Sequence, residues 1–178
     1  PIGHRLVEIG AVCFRLDGWE LATCQQLIEP EIPIPPEVQQ VHGITDAMVR
    51  RQPTIEHVLP QFVEFLGLPD TILLAHNAPF DLGFLALALT RLGIVYRLHD
   101  VLDTLDIARR LYSTWPSHSL ERVATQLKVA NGADHRALSD ARQAVRLQPL
   151  DEEDALALAQ HLAGDPGVHR HGRGQPRR

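Results

Sequence analysis

A short uninterrupted apolar run, Thr71-Ile72-Leu73-Leu74-Ala75, leads through His76-Asn77 to a proline at Pro79. A strand that is apolar at consecutive positions buries both of its faces, as parallel strands do when helices cover them. Proline at position 79 suits the first turn of a helix, and Leu82, Leu85, Leu89 and Leu92 continue as one apolar stripe closed by Gly93. The strand-to-helix step is the unit of an α/β fold.

The flanking sequence extends this pattern. Residues 5–16 are β-branched and apolar, Asp17-Gly18 is a turn signal, and WELATCQQLIEP follows, so a hairpin of two strands is expected. Residues 30–36, PEIPIPP, suit neither a helix interior nor a central strand and are expected to be a loop. Two short helices are expected in residues 45–67, with Thr45 and Thr54 as N-caps and Gly67 closing the second. Further helices are expected from Asp103 through Leu111, Ser119 to Lys128, Ala137 to about Gln148, and Asp151 to Ala163. An antiparallel start followed by βα units predicts an α/β fold with a mixed sheet.

Composition narrows the setting. The 178 residues suffice for one domain and a short appendage, and no disulfide or metal staple is needed to fold a chain of this size. Two cysteines, Cys13 and Cys24, do not form a disulfide framework, no apolar run reaches the ~18 residues of a membrane span, and the printed start has no signal-peptide pattern. A cytoplasmic setting is therefore expected. Residues 1–164 are expected to form the folded domain, with 165–178 as a basic tail. Residues 1–168 hold 13 basic against 22 acidic residues, net −9, which argues against broad nonspecific binding to nucleic acid but leaves room for a small metal-neutralised site.

Two clusters carry chemistry. Asp81 follows the buried strand in the first helical turn, at the carboxyl end of the sheet where α/β folds place ligands. Taken alone, it is more simply read as a favourable charge at a helix N-terminus. His135 and Asp140 form the second cluster, in HRALSD. On one helix they would diverge by about 140°. With His135 in the preceding loop, both can face one pocket, where a histidine near neutrality can take a proton from water. A solvated loop histidine beside a helix-start aspartate is the plainer reading, and spacing does not choose between them.

The order VEIGAV, HGITDAMV, HNAPFDLGFL, DTLDIARRL, HRALSDARQA, over residues 5 to about 147, resembles the DEDDh 3′–5′ exonuclease family, which includes the proofreading epsilon subunit of bacterial DNA polymerase III. The resemblance implies a ribonuclease-H-like fold, a mixed five-stranded sheet flanked by helices. It makes Asp81 and Asp140 metal ligands for two divalent cations, Mg²⁺ or Mn²⁺, and His135 the general base. His42 and Phe80 match positions that approach the terminal nucleotide, although either could equally be a packing residue. Asp103 and Asp106 read as a helix cap and a charge against the dipole, and Glu8 as structural.

The family carries an Asp-x-Glu pair on a first strand, central in its sheet, upstream of the segment that matches Val7–Gly10. With Pro1 as the first residue and Met48 as the only methionine, that strand and its two carboxylates are expected to lie before the printed chain. The implied activity is release of 5′-mononucleotides from 3′ ends of single-stranded DNA or RNA, very weak in residues 1–178 themselves. A polymerase subunit is an implied partner. Two other classes compete: a noncatalytic exonuclease-like module docking a partner, and an unrelated metal hydrolase whose zinc site would include His76 or His118.

Overall fold

The computed structural model describes residues 5–15, 19–67, 71–96, 100–129 and 136–147, all within one compact unit, Pro1–Leu147. The hairpin strands are β1 (Glu8–Phe14) and β2 (Glu20–Leu27), antiparallel, with Glu8 opposite Leu27 and Gly10 opposite Gln25. The expected turn at Asp17-Gly18 lies outside the described residues. Three helices follow: α1 (Pro36–His42), α2 (Asp46–Val49) and α3 (Ile55–Leu66). Then come β3 (Leu73–Ala75), α4 (Ala78–Arg91), β4 (Val101–Asp103), α5 (Thr104–Leu111), α6 (Leu120–Gln126) and α7 (Ala137–Arg146).

β3 and β4 pair in parallel, Ala75 opposite Asp103, with α4 as the crossover. Among the described residues the five-stranded sheet implied by the resemblance is represented by four strands, in the two pairs β1–β2 and β3–β4. α7 bridges them. It lies along β1 and touches both β2 and β3.

The leucine stripe of α4 packs as its spacing predicts. Leu85 and Leu89 are buried with Leu59 and Leu66 of α3, while Leu82 and Leu92 pack against the margin. A second cluster joins Ile9 of β1, Ile28 and Val58 of α3. A third, of Ile34, Ile44 and Val49, anchors the loop before α1.

One expectation needs correction. The segment after the proline-rich run is helical from Pro36, because proline at the first helical position has no N–H to leave unpaired. Thr45 and Thr54 occupy N-cap positions with extended backbone but form no side-chain cap hydrogen bond. The expected helix over 151–163 and the tail lie outside the described residues. Among the described residues no helix is long and apolar enough to cross a membrane.

Candidate active site

The site is built where β3 and β4 end. After Ala75 the chain turns through Asn77, which adopts a left-handed conformation (φ 69°, ψ 48°). Asparagine tolerates this region better than most residues. The Asn77 N–H donates to Asp103 Oδ1 at 2.9 Å, and the same oxygen accepts from Leu105 N–H at 2.9 Å. Asp103 therefore caps α5, as its sequence position implies, and also ties the start of α4 to the end of β4.

His76 completes this tie. Its Nδ1 lies 3.0 Å from Thr104 Oγ1, and its Nε2 lies 2.8 Å from the His118 carbonyl oxygen, to which it must donate. Burial pushes its pKa down, partly offset by the His118 carbonyl and the Asp103 charge. His118 in turn lies with Nε2 2.9 Å from the Tyr112 carbonyl. With both ring nitrogens of His76 committed, the pair is a structural brace, which weighs against a zinc site built on it.

Asp81 sits in the first turn of α4 and Asp140 in the first turn of α7. Asp81 is solvent-exposed at the rim, yet the protein around its carboxyl group raises its pKa to about 6. Desolvation is the largest cause. Its own backbone N–H opposes the rise, and the negative charges of Asp140 and Asp103 add to it. The fold thus places the two sequence-predicted carboxylates, 59 residues apart in the chain, near enough for the Asp140 charge to bear on Asp81. Among the described residues no three His, Cys, Asp or Glu side chains are grouped to hold a metal ion. His135, the expected base, lies outside the described residues.

α7 is fixed in place by Glu8 of β1. The Glu8 side chain is only 4% exposed and accepts from Arg136 Nη2 at 2.7 Å and from Arg136 Nε at 3.1 and 3.2 Å. It also accepts from the Ala137 N–H, the first of α7, at 3.0 Å, and from Gln25 at 3.0 Å. Desolvation would raise its pKa, but these hydrogen bonds and the guanidinium charge prevail and hold it below 4.5. The structural reading of Glu8 is therefore correct. Arg136 is the residue that sequence reasoning missed, since its partner lies 128 positions away.

His42 lies in the field of this ion pair. Its Nδ1 accepts from the Ile44 N–H at 3.0 Å, so the neutral ring carries its proton on Nε2. That Nε2 is buried and has no hydrogen-bond partner, the one such side-chain atom among the described residues. Desolvation is the first cause of the lowered His42 pKa, which keeps the ring neutral and the proton available as a donor. Phe80 stands apart from the core. It is 61% exposed, and its ring meets Phe84 edge-on with centroids 5.2 Å apart.

A mixed α/β frame carries Asp81 in the first turn of the helix after β3 and Asp140 in the first turn of α7. The profile of the RNase_T exonuclease family matches residues 1–148, and the chain belongs to this family, which is DEDDh-like. It is 42% identical over 166 residues to a Mycobacterium tuberculosis (strain CDC 1551 / Oshkosh) protein named as a bifunctional exonuclease/endonuclease, covering 92% of this chain and 24% of that protein. It is 38% identical over 138 residues to the PolC-type DNA polymerase III of Clostridium perfringens (strain 13 / Type A), covering 78% and 9%. The chain thus spans about a quarter or less of the curated relatives it matches. Among solved structures, exonuclease X in complex with 5′-overhanging duplex DNA superposes with a TM-score of 0.62 at 29% identity, covering 83% of this chain and 82% of that one. Other exonuclease structures share the ribonuclease-H-like fold at lower identity.

Proposed function

We propose that this domain hydrolyses the terminal phosphodiester of a single-stranded nucleic acid from its 3′ end, releasing a 5′-mononucleotide. The observation that carries this reading is the placement of Asp81 and Asp140 in the first turns of α4 and α7, where the Asp140 charge bears on Asp81, within an exonuclease family frame. Like charges gathered beside buried surface suit a divalent cation, and hard carboxylate oxygens suit Mg²⁺ or Mn²⁺. Asp81 and Asp140 would hold such ions. Bound there, divalent cations would supply charge neutralisation at phosphate and a more acidic water.

The chain's own residues take the remaining roles. His135 would remove the proton from the attacking water. The buried Nε2–H of His42 offers a hydrogen bond to an oxygen of the terminal nucleotide, which would end its unpartnered state. The exposed Phe80 ring offers a stacking face to an unpaired base. Two carboxylates leave an ion largely to water and phosphate oxygens, so turnover by residues 1–178 is expected to be very weak. The polymerase relatives support association with a polymerase.

The test follows a 5′-fluorescein single-stranded oligonucleotide with Mn²⁺ on a sequencing gel. Products shortened one nucleotide at a time from the 3′ end, lost in D81N and D140N, are expected. Internal cleavage, or the same products from the double variant, would overturn the reading. A noncatalytic module would show neither product nor Mn²⁺ binding.

A further inference from the structure

Outside the carboxylate site, a cleft of about 350 Å³ opens beside α7, lined by Gln25, Arg136, Leu138, Ser139, Arg142, Gln143 and Arg146. Its wall contains three arginines and no acid, on a body whose first 168 residues are net −9. Ser139, Arg142, Gln143 and Arg146 follow the i, i+3, i+4, i+7 spacing of one helix face. That face runs for about 10 Å along α7. On the same helix Arg142 and Arg146 are turned by about 160° and 120° from Asp140, so the cleft lies around α7 from the candidate site and a strand reaching both would pass over the helix.

The three guanidinium groups are differently committed. Arg136 is held by the buried Glu8. Arg142 gives Nε and Nη2 to Glu20 at 3.0 and 2.8 Å, in a pair where both side chains are more than 40% exposed. Such a pair exchanges partners at little cost. The Arg146 guanidinium donates no hydrogen bond and forms no ion pair among the described residues. Two planar donor groups with capacity left, flanked by serine and glutamine side chains, match phosphate oxygens.

We propose that this cleft is a second binding site for the single strand, receiving phosphodiester groups upstream of the nucleotide held at Asp81 and Asp140. This inference rests on the function proposed above. Arg142 and Arg146 position the strand electrostatically and read no base.

The test uses the full 178-residue chain, with binding of fluorescein-labelled dT12 measured by anisotropy in EDTA at several salt concentrations. Binding of dTMP with Mn²⁺ serves as the readout of the carboxylate site. In R142A/R146A, affinity for dT12 is expected to fall about tenfold and the salt slope to become shallower by about 1.4, as for two lost phosphate contacts on a single strand. Binding of dTMP should be unchanged. The charge-matched R91A/R122A, whose residues lie outside the cleft, should bind dT12 as the unmodified chain does. Unchanged dT12 affinity and slope in R142A/R146A would overturn the proposal, and this is also the outcome if the cleft serves an acidic protein segment. An equal loss in R91A/R122A would overturn it too, by assigning the effect to net charge. If the unmodified chain binds neither dT12 nor dTMP with Mn²⁺, the exonuclease reading itself fails.

Discussion

At Gly10, the absence of a single Cβ lets α7 approach β1. A Cβ there would collide with the Leu138 backbone nitrogen and the Ala137 carbonyl carbon, which are backbone atoms that cannot swing aside. Gly10→Ala should therefore push α7 from β1 and carry Asp140 with it. A loss of about 1–3 kcal/mol in urea denaturation is expected, by analogy with overpacked cores, together with weaker Mn²⁺ binding. Asp103 offers a second test. Its Oδ1 serves two backbone N–H groups, so D103A should cost about 1–2 kcal/mol, while D103N, which keeps an oxygen acceptor, should cost less. The cap on α5 was legible in the sequence because an aspartate before a helical pattern is a local signal. The Asn77 bond was not, because the turn that delivers its N–H is set by the pairing of β3 with β4.

Among the elements, α4, α5 and α7 were legible from stripe spacing and entry residues, since local periodicity determines which face each helix buries. β4 has three residues, too few to show a period, and it is defined by pairing with β3. α1 was hidden by the prolines at its entrance. The position of α7 was likewise hidden, because it depends on the Glu8–Arg136 tie between distant segments. That tie makes a pH prediction. Glu8 has a folded-state pKa below its ordinary 4.5, so its contribution is present above about that pH and is lost as pH falls through the depressed folded value. E8Q leaves Arg136 without its anion and should cost about 3 kcal/mol at neutral pH, breaking a largely buried pair. Thermal melts should show the gap between E8Q and the unmodified chain narrowing as pH falls from 6 to 3. A gap constant across that range would show that the pair contributes through packing alone.

For the molecule as a whole, the candidate site acts as a source of instability that its ligand should relieve. Desolvation penalises the charged Asp81 carboxylate, and the negative charges of Asp140 and Asp103 add to that penalty. The motif pattern singled out both acids, yet the placement of Asp140 relative to Asp81 follows from α7 touching β1 and β3, a feature of the whole fold. Removing one charge should relax the fold and abolish the binding function together. In EDTA at neutral pH, D81N should melt at a higher temperature than the unmodified chain. Adding Mn²⁺ should reverse the order: an ion that binds only the folded state stabilises it by about 2.7 kcal/mol at a hundred times its Kd, and D81N forgoes most of that gain. Paired melts in EDTA and Mn²⁺ therefore read the site without requiring turnover. If D81N were less stable in EDTA, Asp81 would be serving α4 as a favourable N-terminal charge. If Mn²⁺ stabilised both chains equally, the ion would be held elsewhere and the carboxylate pair would lose its assigned role.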